Sequence, residues 1–94
     1  MASKREIKKD INYLTYEVIS DCYTYVLLHQ GKQTEEVAEI IDTMMKKRDD
    51  LIHRVNNVES NDKKIVRNHF REIYKNLLEI TDESFGKLSK LTKA

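Results

Sequence analysis

Ile7 to Tyr25 reads IKKDINYLTYEVISDCYTY, and the spacing of its apolar side chains decides the fold. Ile7, Ile11, Leu14, Val18, Cys22 and Tyr25 recur at steps of three or four, which at about 100° per residue aligns them along one side of an α-helix. Such a stripe is the core-facing surface of a long amphipathic helix. Ser3 stands where an N-cap is needed, and Glu6 follows three residues later, the pairing of a capping box. Gly31 marks the far end, so the first helix is expected over about residues 3–29.

The same periodicity recurs twice downstream. Val37, Ile40, Ile41, Met44, Leu51, Ile52 and Val55 give a second apolar face, interrupted by Arg48, which is expected to snorkel to the bundle edge, the alternative being a buried polar contact. Thr34 is the expected N-cap of this helix, over 34–55, with Glu35, Glu36 and Glu39 near its positive end and Lys46, Lys47, Arg48 and Arg54 toward the other. The polar stretch Asn56 to Asn61 reads as a turn, with Ser60 or Asn61 expected to cap the third helix. Val66, Phe70, Ile73, Leu77, Ile80, Ser84, Leu88 and Leu91 carry that helix over about 62–91, with Gly86 inside it as a possible early stop.

Length and composition agree with this reading. Ninety-four residues make one domain, 1–94, with room for a single core. There is no proline, glycine occurs only at 31 and 86, and 35% of residues are charged, so few positions force a helix to stop. At 1.5 Å per residue the helices would be roughly 40, 33 and 45 Å long, and short connections place successive helices antiparallel. The expected fold is all-α: an up-down-up bundle of three long helices. No helix keeps a strict heptad for long, which favours a globular bundle over an extended coiled coil.

Seventeen basic and sixteen acidic side chains leave a net charge of +1, so any polyanion would have to be held by a local patch. Lys64, Arg67, Arg71 and Lys75 share one side of the third helix and are the candidates for phosphate contacts in a nucleic-acid-binding alternative. Lys4, Arg5, Lys8 and Lys9 form a second cluster. Cys22, the only cysteine, lies on the core stripe and fits a reducing compartment. Residues 1–10 lack the apolar run of a secretory signal, and the longest apolar run, Tyr25 to Leu28, is far below a membrane span. A cytoplasmic protein is expected, without membrane contact.

Motifs of catalysis and cofactor binding are missing. The two glycines are fifty-five residues apart, which excludes a glycine-rich phosphate loop. His29 belongs to the opposite end of the bundle from His53 and His69, so the three histidines cannot form a triad. His53 and His69 with Asp50 and Glu72 loosely resemble the carboxylate and histidine ligands of di-iron bundles, but Asp50 and His53 project away from their helix's apolar stripe. A metal-binding helical bundle is therefore kept only as a third alternative, and no metal ligand, cofactor or enzymatic activity is expected.

The sequence is unusual in its surplus of apolar side chains. Tyr16, Ile19, Tyr23, Val26 and Leu27 lie on a second side of the first helix, and Tyr74, Leu78 and Phe85 flank the stripe of the third. One broad stripe per helix suffices in a three-helix bundle, and monomers seldom expose large contiguous apolar areas. Tyr16, Ile19, Tyr23, Leu27, Tyr74, Leu78 and Phe85 are thus expected to contact another copy, in a homodimer, or another helical protein. The function expected is a protein–protein interaction module or a self-assembling helical adaptor.

The block Lys4 to Leu14, KREIKKDINYL, followed by two further proline-free helices, resembles a family of short uncharacterised helical proteins of Bacteroidetes bacteria. The resemblance implies a bacterial, cytoplasmic helical protein and brings no activity or catalytic residue with it.

Overall fold

Three α-helices, α1 (Lys4–Leu28), α2 (Thr34–Asn56) and α3 (Lys63–Lys93), make up the computed structural model, which describes residues 3–93. Residues 1, 2 and 94 of the domain read from the sequence lie outside the described residues. Each helix packs against the other two in an up-down-up bundle of 51 × 19 × 18 Å. The expected boundaries hold to within one residue at five of the six helix ends. The sixth, the end of α3, runs straight through Gly86 and past Leu91. Gly86 retains helical geometry because its neighbours on both sides continue the stripe and nothing around it demands a left-handed residue.

The helix ends correct two expectations. Ser3 caps α1 as expected: its backbone is extended and its Oγ accepts the Glu6 N–H at 3.2 Å. Thr34, however, is the first residue of α2 and not its cap; the cap position is Gln33, in the left-handed region at φ 58°, without a side-chain capping bond. The reason is the tightness of the preceding turn. Gln30, Gly31 and Gln33 all have positive φ, Gly31 N–H bonds back to Val26 O at 3.1 Å, and the Thr34 hydroxyl is drawn to Gly31 O. At the other turn Asp62 caps α3, where Ser60 or Asn61 was expected. Its Oδ1 accepts the Lys64 N–H at 2.8 Å, while Ser60 Oγ accepts the Asp62 N–H and so orients the cap.

The core is continuous along the bundle but falls into two groups. Toward the start of α1, Ile7 and Ile11 meet Leu51, Val55, Ile73 and Leu77. Toward its end, Val18, Cys22 and Tyr25 meet Val37, Ile40 and Met44. All but Tyr25 and Ile40 are essentially sealed from solvent. Between the groups lie buried hydroxyls: Thr15 donates to Ile11 O at 2.7 Å and Thr81 to Leu77 O at 2.8 Å. Bonding four residues back satisfies a hydroxyl within its own helix, which lets these polar side chains occupy core positions.

Polar ties between helices set their relative heights. Arg48 Nε donates to Asn12 Oδ1 at 2.7 Å and its Nη1 to Asp49 at 2.8 Å, so the interruption in the α2 stripe is a half-buried bridge to α1. Tyr74 donates to Asp10 Oδ2 at 2.7 Å. His69 Nε2 contacts Arg54 O at 2.9 Å. Asn76, with its carbonyl turned toward α2, accepts from both Nη atoms of Arg54 at 2.8 and 3.0 Å.

Candidate interaction surface

The outward side of α1 follows from its inward one. With the core stripe centred on Val18 and Cys22, the positions about half a turn away are Arg5, Lys9, Tyr16, Tyr23 and Leu27. Tyr16 is 69% exposed, Tyr23 62% and Leu27 80%. Beside them runs a shallow groove between α1 and α2, where Tyr23 and Val26 face Val37, Ala38, Ile41 and Met45. Met45 is itself partly exposed. The groove is rimmed at one point by Asp42, paired with Lys46 at 3.0 Å. The result is a strip of exposed aromatic and aliphatic carbon with little charge along its upper half.

The seven side chains expected at an interface do not form one patch. Tyr16, Tyr23 and Leu27 are exposed and share the outward side of α1, with Ile19 half-buried at its margin toward α2. Tyr74 and Phe85 are half-buried and pack onto the core, Tyr74 against the first group and Phe85 against the second. Leu78, 57% exposed, stands apart on the α3 flank. Tyr74 and Phe85 were legible as apolar but not as core, because the margin of the α3 stripe is set by how closely α1 approaches. Burial pushes the Tyr74 hydroxyl up to about 12, reinforced by its bond to Asp10 and by the negative charges of Asp10 and Glu6. Asn12, Asp10 and Met45 carry no local mark of taking part: two are polar groups whose partners lie on other helices, and one is a single methionine outside the α2 stripe.

Lys64, Arg67, Arg71 and Lys75 are all exposed on α3. The ion pairs among the described residues are Lys46 with Asp42 and Arg48 with Asp49, so none of these four cations is neutralised by a close carboxylate. The fold brings them to the same end of the bundle as Lys4, Arg5, Lys8 and Lys9.

Charge is accordingly polarised along the long axis. The half formed by residues 3–15 and 45–79 carries thirteen basic and eight acidic side chains, while residues 16–44 and 80–93 carry four and eight. The bundle is thus a rod with a net +5 at one end and −4 at the other.

Among the described residues, no three side chains of His, Cys, Asp and Glu gather as metal ligands would. His53 is exposed and in contact with Asn57, while His69 is tied to the α2 backbone. Cys22 is buried, and burial, aided by the adjacent Asp21, pushes its thiol up from its ordinary value. That is the opposite of what a nucleophilic thiolate needs. No described helix is long and apolar enough to cross a membrane. No protein-family model, curated protein or solved structure matches this chain.

Proposed function

We propose that the chain is a non-catalytic protein–protein interaction module that self-associates through the outward side of α1 and the adjoining α1–α2 groove. The observation that carries this reading is the exposure of Tyr16, Tyr23 and Leu27 in one line, beside a groove already lined with apolar side chains. Single exposed apolar residues are ordinary, but aligned ones next to an apolar groove mark an interaction surface. A surface that pairs with its own copy closes under two-fold symmetry, the commonest arrangement of soluble oligomers. Tyrosine suits such a role because its ring buries area while its hydroxyl tolerates water. The free, buried Cys22 and the resemblance of Lys4–Leu14 support a bacterial cytoplasmic setting.

The test is hydrodynamic. The unmodified chain should sediment as an assembly larger than 11.2 kDa, and Tyr23→Lys with Leu27→Lys should return it to the monomer with its helix content intact. A monomer at every concentration before substitution would sink the reading.

A second reading rests on the convergence of the α1 and α3 basic clusters at one end of the bundle: a nucleic-acid accessory protein that contacts phosphates through Lys64, Arg67, Arg71 and Lys75. Its signature is an affinity for DNA or RNA that falls steeply with salt and drops when Arg67 and Arg71 become Gln. A salt-insensitive affinity would argue against it.

A further inference from the structure

We infer that the second copy docks antiparallel, in a two-fold dimer whose axis passes close to Tyr16. The inference rests on the self-association proposed above and adds the orientation and the contacts.

Size comes first. The outward side of α1 is about 37 Å long and ~10 Å wide, or roughly 370 Å², whereas a stable interface takes about 800 Å² from each partner. One helix is too little. Adding the neighbouring side of α2 about doubles the area, which makes Ala38, Ile41 and Met45 part of the contact. Both α1 and α2 of each copy therefore take part.

Charge then selects the orientation. Along the outward line of α1 the order is Arg5, Lys9, Tyr16, Tyr23, Leu27. Were the two α1 helices parallel, Arg5 and Lys9 would face their own copies, bringing four cations together at one end of the contact. Turned antiparallel about Tyr16, the same residues fall into complementary pairs, because positions 9 and 23, and positions 5 and 27, are each symmetric about 16. Lys9 then lies over the Tyr23 ring of the second copy, a cation on an aromatic face. Arg5 lays its aliphatic stem along Leu27 of the second copy while its guanidinium reaches water. Tyr16 meets Tyr16. At the scale of the whole rod, the +5 end of each copy lies alongside the −4 end of the other. One rotation thus relieves the local repulsion and aligns the long-range charges favourably.

The experiment is disulfide trapping on the full chain under mild oxidation, with sedimentation of the unmodified chain alongside. Cys22 is buried and serves as the unreactive background. Tyr16→Cys should trap a covalent dimer with itself. Leu27→Cys alone should not, yet an epitope-tagged Leu27→Cys chain mixed with Arg5→Cys should form the mixed dimer. Raising salt should weaken association several-fold, since the selecting contacts are charged. A dimer that traps through Leu27→Cys alone, with no mixed species, would overturn the antiparallel orientation and leave self-association standing. A dimer that none of these cysteines traps would also overturn it. An unmodified chain that stays monomeric would overturn both.

Discussion

Leu27→Ala separates the surface from the fold more cleanly than any other single change. Leu27 is 80% exposed and near the end of α1, where its side chain supports nothing within the bundle. Alanine is also the best helix former, so the substitution leaves α1 at least as well made and should change unfolding stability by less than about 0.5 kcal/mol. The effect on self-association is of another order. Removing three carbons at about 0.8 kcal/mol each, scaled by the exposed fraction and by incomplete burial at an interface, gives ~1.5 kcal/mol per copy. Two-fold symmetry repeats the loss, so the dimer weakens by about 3 kcal/mol, or ~150-fold in Kd. Sedimentation velocity over a concentration series measures the Kd, and urea unfolding at concentrations below it measures the fold. Leu51→Ala is the opposite control: Leu51 is 1% exposed in the core, and its truncation should cost about 2–5 kcal/mol in folding. If Leu27→Ala left the Kd within twofold of the parent, the assignment of this surface would be wrong. If it unfolded the protein as Leu51→Ala does, the placement of α1 would be wrong as well.

Three further outcomes test the fold and its ionisation. Gly86→Ala should stabilise the bundle by about 0.5–1 kcal/mol in urea unfolding, because an added Cβ meets nothing within 4 Å; a destabilised variant would contradict an unbroken α3. Asp62→Ala should cost about 1 kcal/mol and Asn61→Ala a few tenths at most, since only Asp62 accepts from the first amides of α3; the reverse ranking would restore the cap to Asn61. Tyr74 retains its proton in the fold up to about 12 while the unfolded chain releases it near its ordinary 10. The native state thus binds more protons between those values, so the stability Tyr74 contributes is complete below pH 10 and declines as pH rises toward 12. Thermal melts across that window should show a decline that Tyr74→Phe reduces; an identical decline in the variant would remove Tyr74 as its source.

Much of the architecture was legible in the chain because helix periodicity is local: Ile7, Ile11, Val18 and Cys22 point the same way whatever surrounds them. Caps were less legible. Thr34, Ser60, Asn61 and Asp62 are all competent acceptors, and the choice among them was made by the left-handed Gln33 and by the bond from Asp62 N–H to Ser60, which are properties of the turns. Thr15 and Thr81 escaped notice as core because their polarity is cancelled only once the helix supplies a carbonyl four residues back. The candidate surface was half legible. Tyr16, Tyr23 and Leu27 lie about half a turn from the stripe and are exposed on geometry alone. Tyr74 and Phe85 sit at the stripe's margin, where only the approach of α1 decides between core and surface. The polarity of charge along the rod was hidden by a net charge of +1, and it emerges only when the up-down-up topology folds the start of α1 onto the start of α3.

Whether a second copy covers the exposed side of α1 is decided by the mass of the purified chain in solution, measured by sedimentation equilibrium. The expected mass depends on concentration, rises to twice the 11.2 kDa of one chain and falls back to 11.2 kDa when Tyr23 and Leu27 are both replaced by Lys. A mass that stays at 11.2 kDa at every concentration of the unmodified chain would contradict it.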